Sequence, residues 1–84
     1  MTCAELAEQM RLEGIPLNLV DWRSTRPSEC FVIEERGPAW VTFYAERGLE
    51  TGLQTFPTED AACQHILGEV RAYARTAGII HKPL

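Results

Sequence analysis

At the start of the chain, apolar residues recur among polar ones with the period of a helix. Thr2 and Glu5 have the spacing of a capping box, and apolar residues recur at intervals of three and four, so we expect an amphipathic helix over residues 3–13. Gly14 ends this helix, because glycine is common just past a helix C-terminus. Residues 15–28 lose the periodicity, which predicts a loop whose few apolar side chains pack against the body.

The middle of the chain has the composition of β-strands. Three segments are rich in β-branched and aromatic residues and are separated by short turns that contain glycine: Cys30–Glu35, Trp40–Glu46 and Glu50–Phe56. Gly37 and Gly48 stand where a hairpin needs a positive φ angle. The pattern therefore predicts a three-stranded antiparallel meander.

A second helix follows the strands. Thr58 is a favourable N-cap, and acidic residues at 59 and 60 occupy the first turn, where the helix dipole favours negative charge. The helical period continues to Gly78, and residues 79–84 are expected to form a short frayed tail. The predicted fold class is α+β, in the order helix, three-stranded antiparallel meander, helix, as one domain over residues 1–84.

The lengths of the two hairpin loops decide which side chains face the helices. Three-residue loops at 36–38 and 47–49 would collect a largely apolar set on one face, comprising Phe31, Ile33, Val41, Phe43, Leu53 and Thr55. We expect both helices to cover that face in a single layer. A two-residue second loop would instead reverse the faces of Leu53 and Gln54.

The opposite face then combines aromatic with acidic side chains, a composition typical of binding hot spots that select a basic partner. We predict that this face binds the partner through Glu34, Trp40, Thr42, Tyr44, Glu46, Glu50 and Gln54, with Arg47 in the adjoining turn. The alternative is that helix one, or the loop carrying Trp22, covers this face. Trp40 and Phe56 would then be ordinary core residues.

Charge and composition narrow the class of partner. The 84 residues carry 12 acidic and 8 basic side chains, a formal net charge of -4, which argues against nucleic acid because its binding needs a basic face. No apolar stretch reaches the ~20 residues that span a bilayer, and the N-terminus lacks the pattern of a signal peptide. Three cysteines without a CxxC motif indicate free thiols, so we expect a cytoplasmic protein.

Residues suited to catalysis or metal binding are few. Cys63 and His65 are two positions apart on the predicted helix and point in different directions, so they do not pair as nucleophile and base. The cysteines and histidines lack the spacing of familiar zinc sites, and we expect no metal, no cofactor and no small-molecule substrate. An enzyme using Cys30 is the weakest hypothesis, because no base is identifiable beside it.

The chain resembles small bacterial immunity proteins of polymorphic toxin loci. The resemblance rests on Gly14-Ile15-Pro16, Glu34-Glu35-Arg36-Gly37, Trp40-Val41-Thr42-Phe43-Tyr44, Glu46-Arg47-Gly48, Phe56 and Thr58-Glu59-Asp60-Ala61-Ala62-Cys63. These motifs cover most of the chain, although they consist mainly of turns, core and a helix cap, which specify a fold better than a function.

The resemblance implies an immunity protein that binds and inhibits a cognate toxin domain, one to one, without catalysis. An NAD-degrading toxin is favoured slightly over a nuclease. In both cases an acidic, aromatic face would occlude a cleft built to hold phosphates. The alternative is an adaptor outside toxin systems, or a homodimer in which the same face or a free strand edge pairs with its copy.

Overall fold

The computed structural model describes residues 1–22 and 29–78. Within these residues the chain forms two α-helices, a short 3-10 helix and four strands: α1 Cys3–Leu12, the 3-10 helix Leu17–Leu19, β1 Val20–Asp21, β2 Cys30–Arg36, β3 Ala39–Glu46, β4 Leu49–Phe56 and α2 Glu59–Thr76. The predicted tail at 79–84 and part of the predicted loop, at 23–28, lie outside the described residues.

The α+β class is confirmed, but the sheet is larger than the predicted meander. Its strand order is β1-β2-β3-β4, with β1 parallel to β2 and the other neighbours antiparallel. The predicted three strands correspond to β2, β3 and β4. The two-residue strand β1 lies inside the segment predicted as a loop, because so short a strand leaves no alternating pattern in the sequence.

Both helices begin at the predicted caps. At α1 the Thr2 side chain accepts a hydrogen bond from the Glu5 N–H, and the Glu5 carboxylate accepts one from the Thr2 N–H, which completes the capping box. At α2 the Thr58 hydroxyl accepts from the Ala61 N–H at 3.1 Å. Gly14 follows α1 with a φ of 74°, as expected for a residue just past a helix end.

The inner core lies between the helices and one face of the sheet. Helix α2 packs on β2, β3 and β4, and α1 packs on α2 and on the 3-10 helix. The buried residues of this core are Leu6, Met10, Ile15, Val20, Ile33, Ala62, Cys63, Ile66, Leu67, Val70 and Ala74. The sheet side is completed by the half-buried rings of Phe31, Trp40 and Phe56.

The register of the first hairpin differs from the prediction by one residue. Glu35 pairs with Trp40 and Ile33 pairs with Thr42, so the loop has two residues, Gly37 and Pro38, instead of three. Gly37 has a φ of 62°, and glycine at the first loop position is typical of a type II′ turn. A shift of one residue moves every side chain of β3 to the other face relative to β2, so the face predicted for Val41 and Phe43 is wrong. Phe31 and Ile33 of β2 face the helices as predicted.

The pairing register between β3 and β4 shifts part-way along the second hairpin. Its loop also has two residues, and both Arg47 and Gly48 have positive φ, which is the type I′ pattern. A β-bulge then shifts the register between Thr42 and Tyr44, and Gly52 opposite it has a φ of 68°. Beyond the bulge, Thr42 pairs with Gln54 as predicted, whereas the pairing next to the turn is wrong.

A second set of buried residues occupies the face of the sheet turned away from the helices. This outer cluster consists of Cys30, Val32, Val41, Phe43 and Ala45. Val32 lies between Phe31 and Ile33 in the sequence, so the predicted alternation placed it on the open face, yet it is 0% exposed. The guanidinium carbon of Arg36 lies 5.3 Å from the centroid of the Phe43 ring, so a cation covers part of this cluster. Apolar side chains are therefore buried on both faces of the sheet.

Thr42 is the buried polar residue whose position suggests a stabilising change. It is 1% exposed, and within the described residues its hydroxyl has no hydrogen-bond partner. We expect Thr42→Val to raise the free energy of unfolding by about 1 kcal/mol, because valine has a similar shape and leaves no unsatisfied polar group. Urea denaturation measures this change, with the exposed Thr51→Val as control. An equal or lower stability of Thr42→Val would contradict the burial of an unsatisfied hydroxyl.

Among the described residues, no helix combines the length and apolar character that crossing a membrane requires.

Candidate protein-binding surface

Three of the predicted binding residues lie on the side of the sheet that α2 covers. Trp40 packs against the inner core, and Thr42 is buried. The Tyr44 ring meets the Phe31 ring edge-on with centroids 5.1 Å apart, and Phe31 in turn lies 6.0 Å from Tyr73 of α2. Burial raises the pKa of Tyr44. These residues therefore pack inside the protein. The alternative hypothesis expected this for Trp40 and Phe56, but it named helix one or the Trp22 loop as the cover, whereas α2 packs on this side.

Two of the predicted acids, Glu34 and Glu50, lie on the opposite side and share one arginine. The Arg36 side chain donates to the carboxylates of both, and hydrogen bonds to Glu50 and then Glu34 raise its pKa. The Glu34 side chain is only 10% exposed. These carboxylates balance a cation of the same chain, which leaves less negative charge on this face for a basic partner than the sequence predicted.

The remaining predicted residues are exposed and gather around β4. Glu46 and Arg47 lie at the β3–β4 turn, and Gln54 lies on β4 itself. Two leucines accompany them. Leu49, which the sequence did not single out, is 65% exposed. Leu53, which the predicted register wrongly placed on the face covered by the helices, is 46% exposed. The exposed side chains of Glu46, Arg47, Leu49, Leu53 and Gln54 are called the β4 edge surface below.

β4 is also an open sheet edge. It stands last in the strand order, and no other described strand pairs with its outer side. Six of its eight residues are exposed, and residues 49–56 contain neither lysine nor proline, two residues that commonly prevent edges from pairing. The bulge at Gly52 interrupts the regular strand geometry of this edge. Among the described residues, the outward side of β4 is therefore unpaired with any strand.

Cys30 and Cys63 both have a raised thiol pKa. Burial, with a smaller contribution from Asp21, raises the pKa of Cys30, whereas a reactive cysteine needs a lowered one. Burial likewise raises the pKa of Cys63 to about 12. His65 contacts Phe56 and lies 3.3 Å from the Glu69 carboxylate, so it is engaged away from any thiol chemistry.

The sequence reasoning missed the two leucines and one grouping of cysteines. Leu53 follows Gly52, and a glycine within a strand pattern is a signal for a bulge, so its exposure could have been anticipated. The structure also brings Cys3, Glu59 and Cys63 together. No local spacing reveals that grouping, because Cys3 is on α1 and the other two residues are on α2.

No protein-family model, curated protein sequence or solved structure was found to match this chain.

Proposed function

We propose that this protein binds another protein through the β4 edge surface, and that its partner is a bacterial toxin domain that it inhibits. The observation that carries the proposal is an eight-residue edge strand with six exposed residues, two leucines among them and no lysine or proline. A long edge of this kind is a typical site for strand addition by a partner.

Main-chain pairing and side-chain contacts would have separate roles in the complex. The outward N–H and C=O groups of β4 would bind an extended segment of the toxin, which supplies affinity with little sequence selectivity. Leu49 and Leu53 would fill apolar pockets of the toxin and exclude water from these hydrogen bonds. The two leucines are therefore the expected hot spots.

The charged side chains around this edge would set the orientation of the bound toxin. Glu46 and Arg47 are exposed at the tip of the β3–β4 hairpin, next to Leu49. An acid and a base that are adjacent in sequence select a partner with the complementary pair, and the net charge of -4 favours the approach of a basic domain. Arg47 adds the possibility of a bidentate bond to a carboxylate of the toxin.

The toxin class comes from the family resemblance of the sequence. An NAD-degrading toxin ranks slightly ahead of a nuclease, and both need a cleft that accommodates phosphates. We expect a one-to-one complex, in the cytoplasm of the producing cell, in which the β4 edge surface occludes this cleft. The protein would act by binding and would itself catalyse nothing.

Co-expression with a candidate toxin domain encoded beside the gene of this protein tests this function. We expect the cells to survive and the two chains to co-purify as a one-to-one complex. Cell death with no complex would contradict the immunity function.

The free β4 edge also favours a second candidate, an adaptor or a homodimer in which β4 pairs with its copy. Sedimentation of the isolated protein distinguishes the two, because the immunity proposal expects a monomer in the absence of toxin. A stable dimer that dissociates on Leu53→Lys would favour the homodimer.

A further inference from the structure

The ends of the two helices bring three metal-binding side chains together. Cys3 and Glu59 are the first residues of α1 and α2, and Cys63 lies one turn further along α2. The ligand atoms of Cys3, Glu59 and Cys63 all lie within 4.8 Å of one another. Cys63 is buried, whereas Cys3 and Glu59 are half-buried, so the group has one side toward the inner core and one toward solvent.

The separation of the two sulfur atoms fits a shared metal ion better than a disulfide. The Sγ atoms of Cys3 and Cys63 are 4.0 Å apart. Two thiolates on one tetrahedral zinc ion are about 3.8 Å apart, given Zn–S bonds of about 2.3 Å. A disulfide needs a separation of about 2.05 Å and would require the helix ends to move together.

We propose that Cys3, Glu59 and Cys63 bind a zinc ion that links the N-terminal ends of α1 and α2. Two thiolates and one carboxylate supply three ligands, and water from the solvent side supplies the fourth. Thiolates favour zinc over magnesium or calcium, which prefer sites made only of oxygen. Both thiols release their protons to solvent when they bind the ion.

The surroundings of the three residues suit this ligand set. The Cys3 N–H donates to Glu59 Oε2 at 2.8 Å, which fixes the carboxylate and leaves its second oxygen available for the ion. Two thiolates, one carboxylate and Zn²⁺ sum to one negative charge. The adjoining helix N-termini favour a net negative charge at this place. Asp60 is engaged with the Met1 amino group, so it is not counted as a ligand.

Titration of the full chain with Co²⁺, under a phosphine reductant that prevents disulfide formation, tests the site. Co²⁺ is a spectroscopic substitute for Zn²⁺, and two thiolates in a tetrahedral site give a sulfur-to-cobalt charge-transfer band with intense visible bands. We expect these bands to saturate at one Co²⁺ per chain and to disappear when Zn²⁺ is added. Absence of the charge-transfer band in the wild-type protein would overturn the proposal.

Three variants assign the ligands. Cys3→Ala is expected to weaken zinc binding by at least ~100-fold, beyond the 10–100-fold typical of an outer-shell partner. Glu59→Gln keeps an oxygen that can accept the Cys3 N–H bond but removes the charge, and at least ~10-fold weaker binding is expected. Cys30→Ala is the control, because Cys30 belongs to the outer cluster, and it should bind like the wild type. Circular dichroism checks that each variant is folded, and wild-type affinity of both Cys3→Ala and Glu59→Gln would overturn the site.

Discussion

Replacing Leu49 and Leu53 together with lysine is expected to weaken binding to the toxin domain by at least ~100-fold, which corresponds to about 2.7 kcal/mol. The two leucines are exposed on β4, so the substitutions remove the apolar contacts and place two charges in a desolvated interface. Lysine on an edge strand also opposes pairing with another strand. Isothermal titration calorimetry of the purified proteins measures the change.

A matched control is available on α1. Leu12 is 65% exposed, as is Leu49, but it belongs to α1, which packs on α2 and the 3-10 helix. Leu12→Lys should leave the dissociation constant within about twofold, since surface substitutions outside an interface change little. Both variants should keep the circular dichroism and melting temperature of the wild type. If Leu49→Lys/Leu53→Lys binds as tightly as the control, the β4 edge surface is not the binding site.

Val32→Asp is expected to unfold most of the protein at 25 °C. Val32 is 0% exposed in the outer cluster, and a carboxylate there would lose its hydration without a compensating charge, at a cost of several kcal/mol. A domain of this length has a free energy of unfolding of about 4–13 kcal/mol, so toward the lower end of this range a loss of several kcal/mol exceeds the whole stability.

Circular dichroism and thermal melting measure this effect. Leu53→Asp is the control, because it introduces the same carboxylate at an exposed strand position and should fold normally. The register predicted from sequence would have left Val32 on an open face, where aspartate is tolerated. A cooperative Val32→Asp melt within a few degrees of the wild type would therefore contradict the burial of Val32 in the outer cluster.

Local signals in the sequence predicted the helices well. Thr2, Glu5 and Thr58 make the expected caps, because a capping bond joins residues two or three positions apart and depends little on the rest of the fold. Gly37 and Gly48 have the positive φ expected of them, since only the local turn decides it. The extents of β2, β3 and β4 agree with the predicted strands to within a residue at each end.

The faces of the sheet could not be predicted with the same success. Gly37 is compatible with a two-residue or a three-residue loop, yet the choice moves Trp40, Thr42 and Tyr44 to the other side of the sheet. Both faces bear apolar side chains, so the pattern of hydrophobic residues did not favour either register. The surface predicted around Trp40 was consequently divided, and Glu46, Arg47 and Gln54 are its members that remain exposed.

The other features that the sequence did not predict are contacts between segments far apart in the chain. The pairing of β1 with β2 and the grouping of Cys3 with Cys63 depend on how segments far apart in sequence pack, which no local spacing records. The Arg36 bond to Glu50 is similar, since it requires the β3–β4 hairpin to fold beside β2.

Hydrogen–deuterium exchange of the protein, alone and in complex with the toxin domain, tests binding through β4 most directly. Strand addition would slow exchange of backbone amides across Leu49–Phe56 in the complex and leave those of α1, Cys3–Leu12, unchanged. Unchanged exchange across Leu49–Phe56, with protection confined to other segments, would contradict the β4 edge as the binding surface.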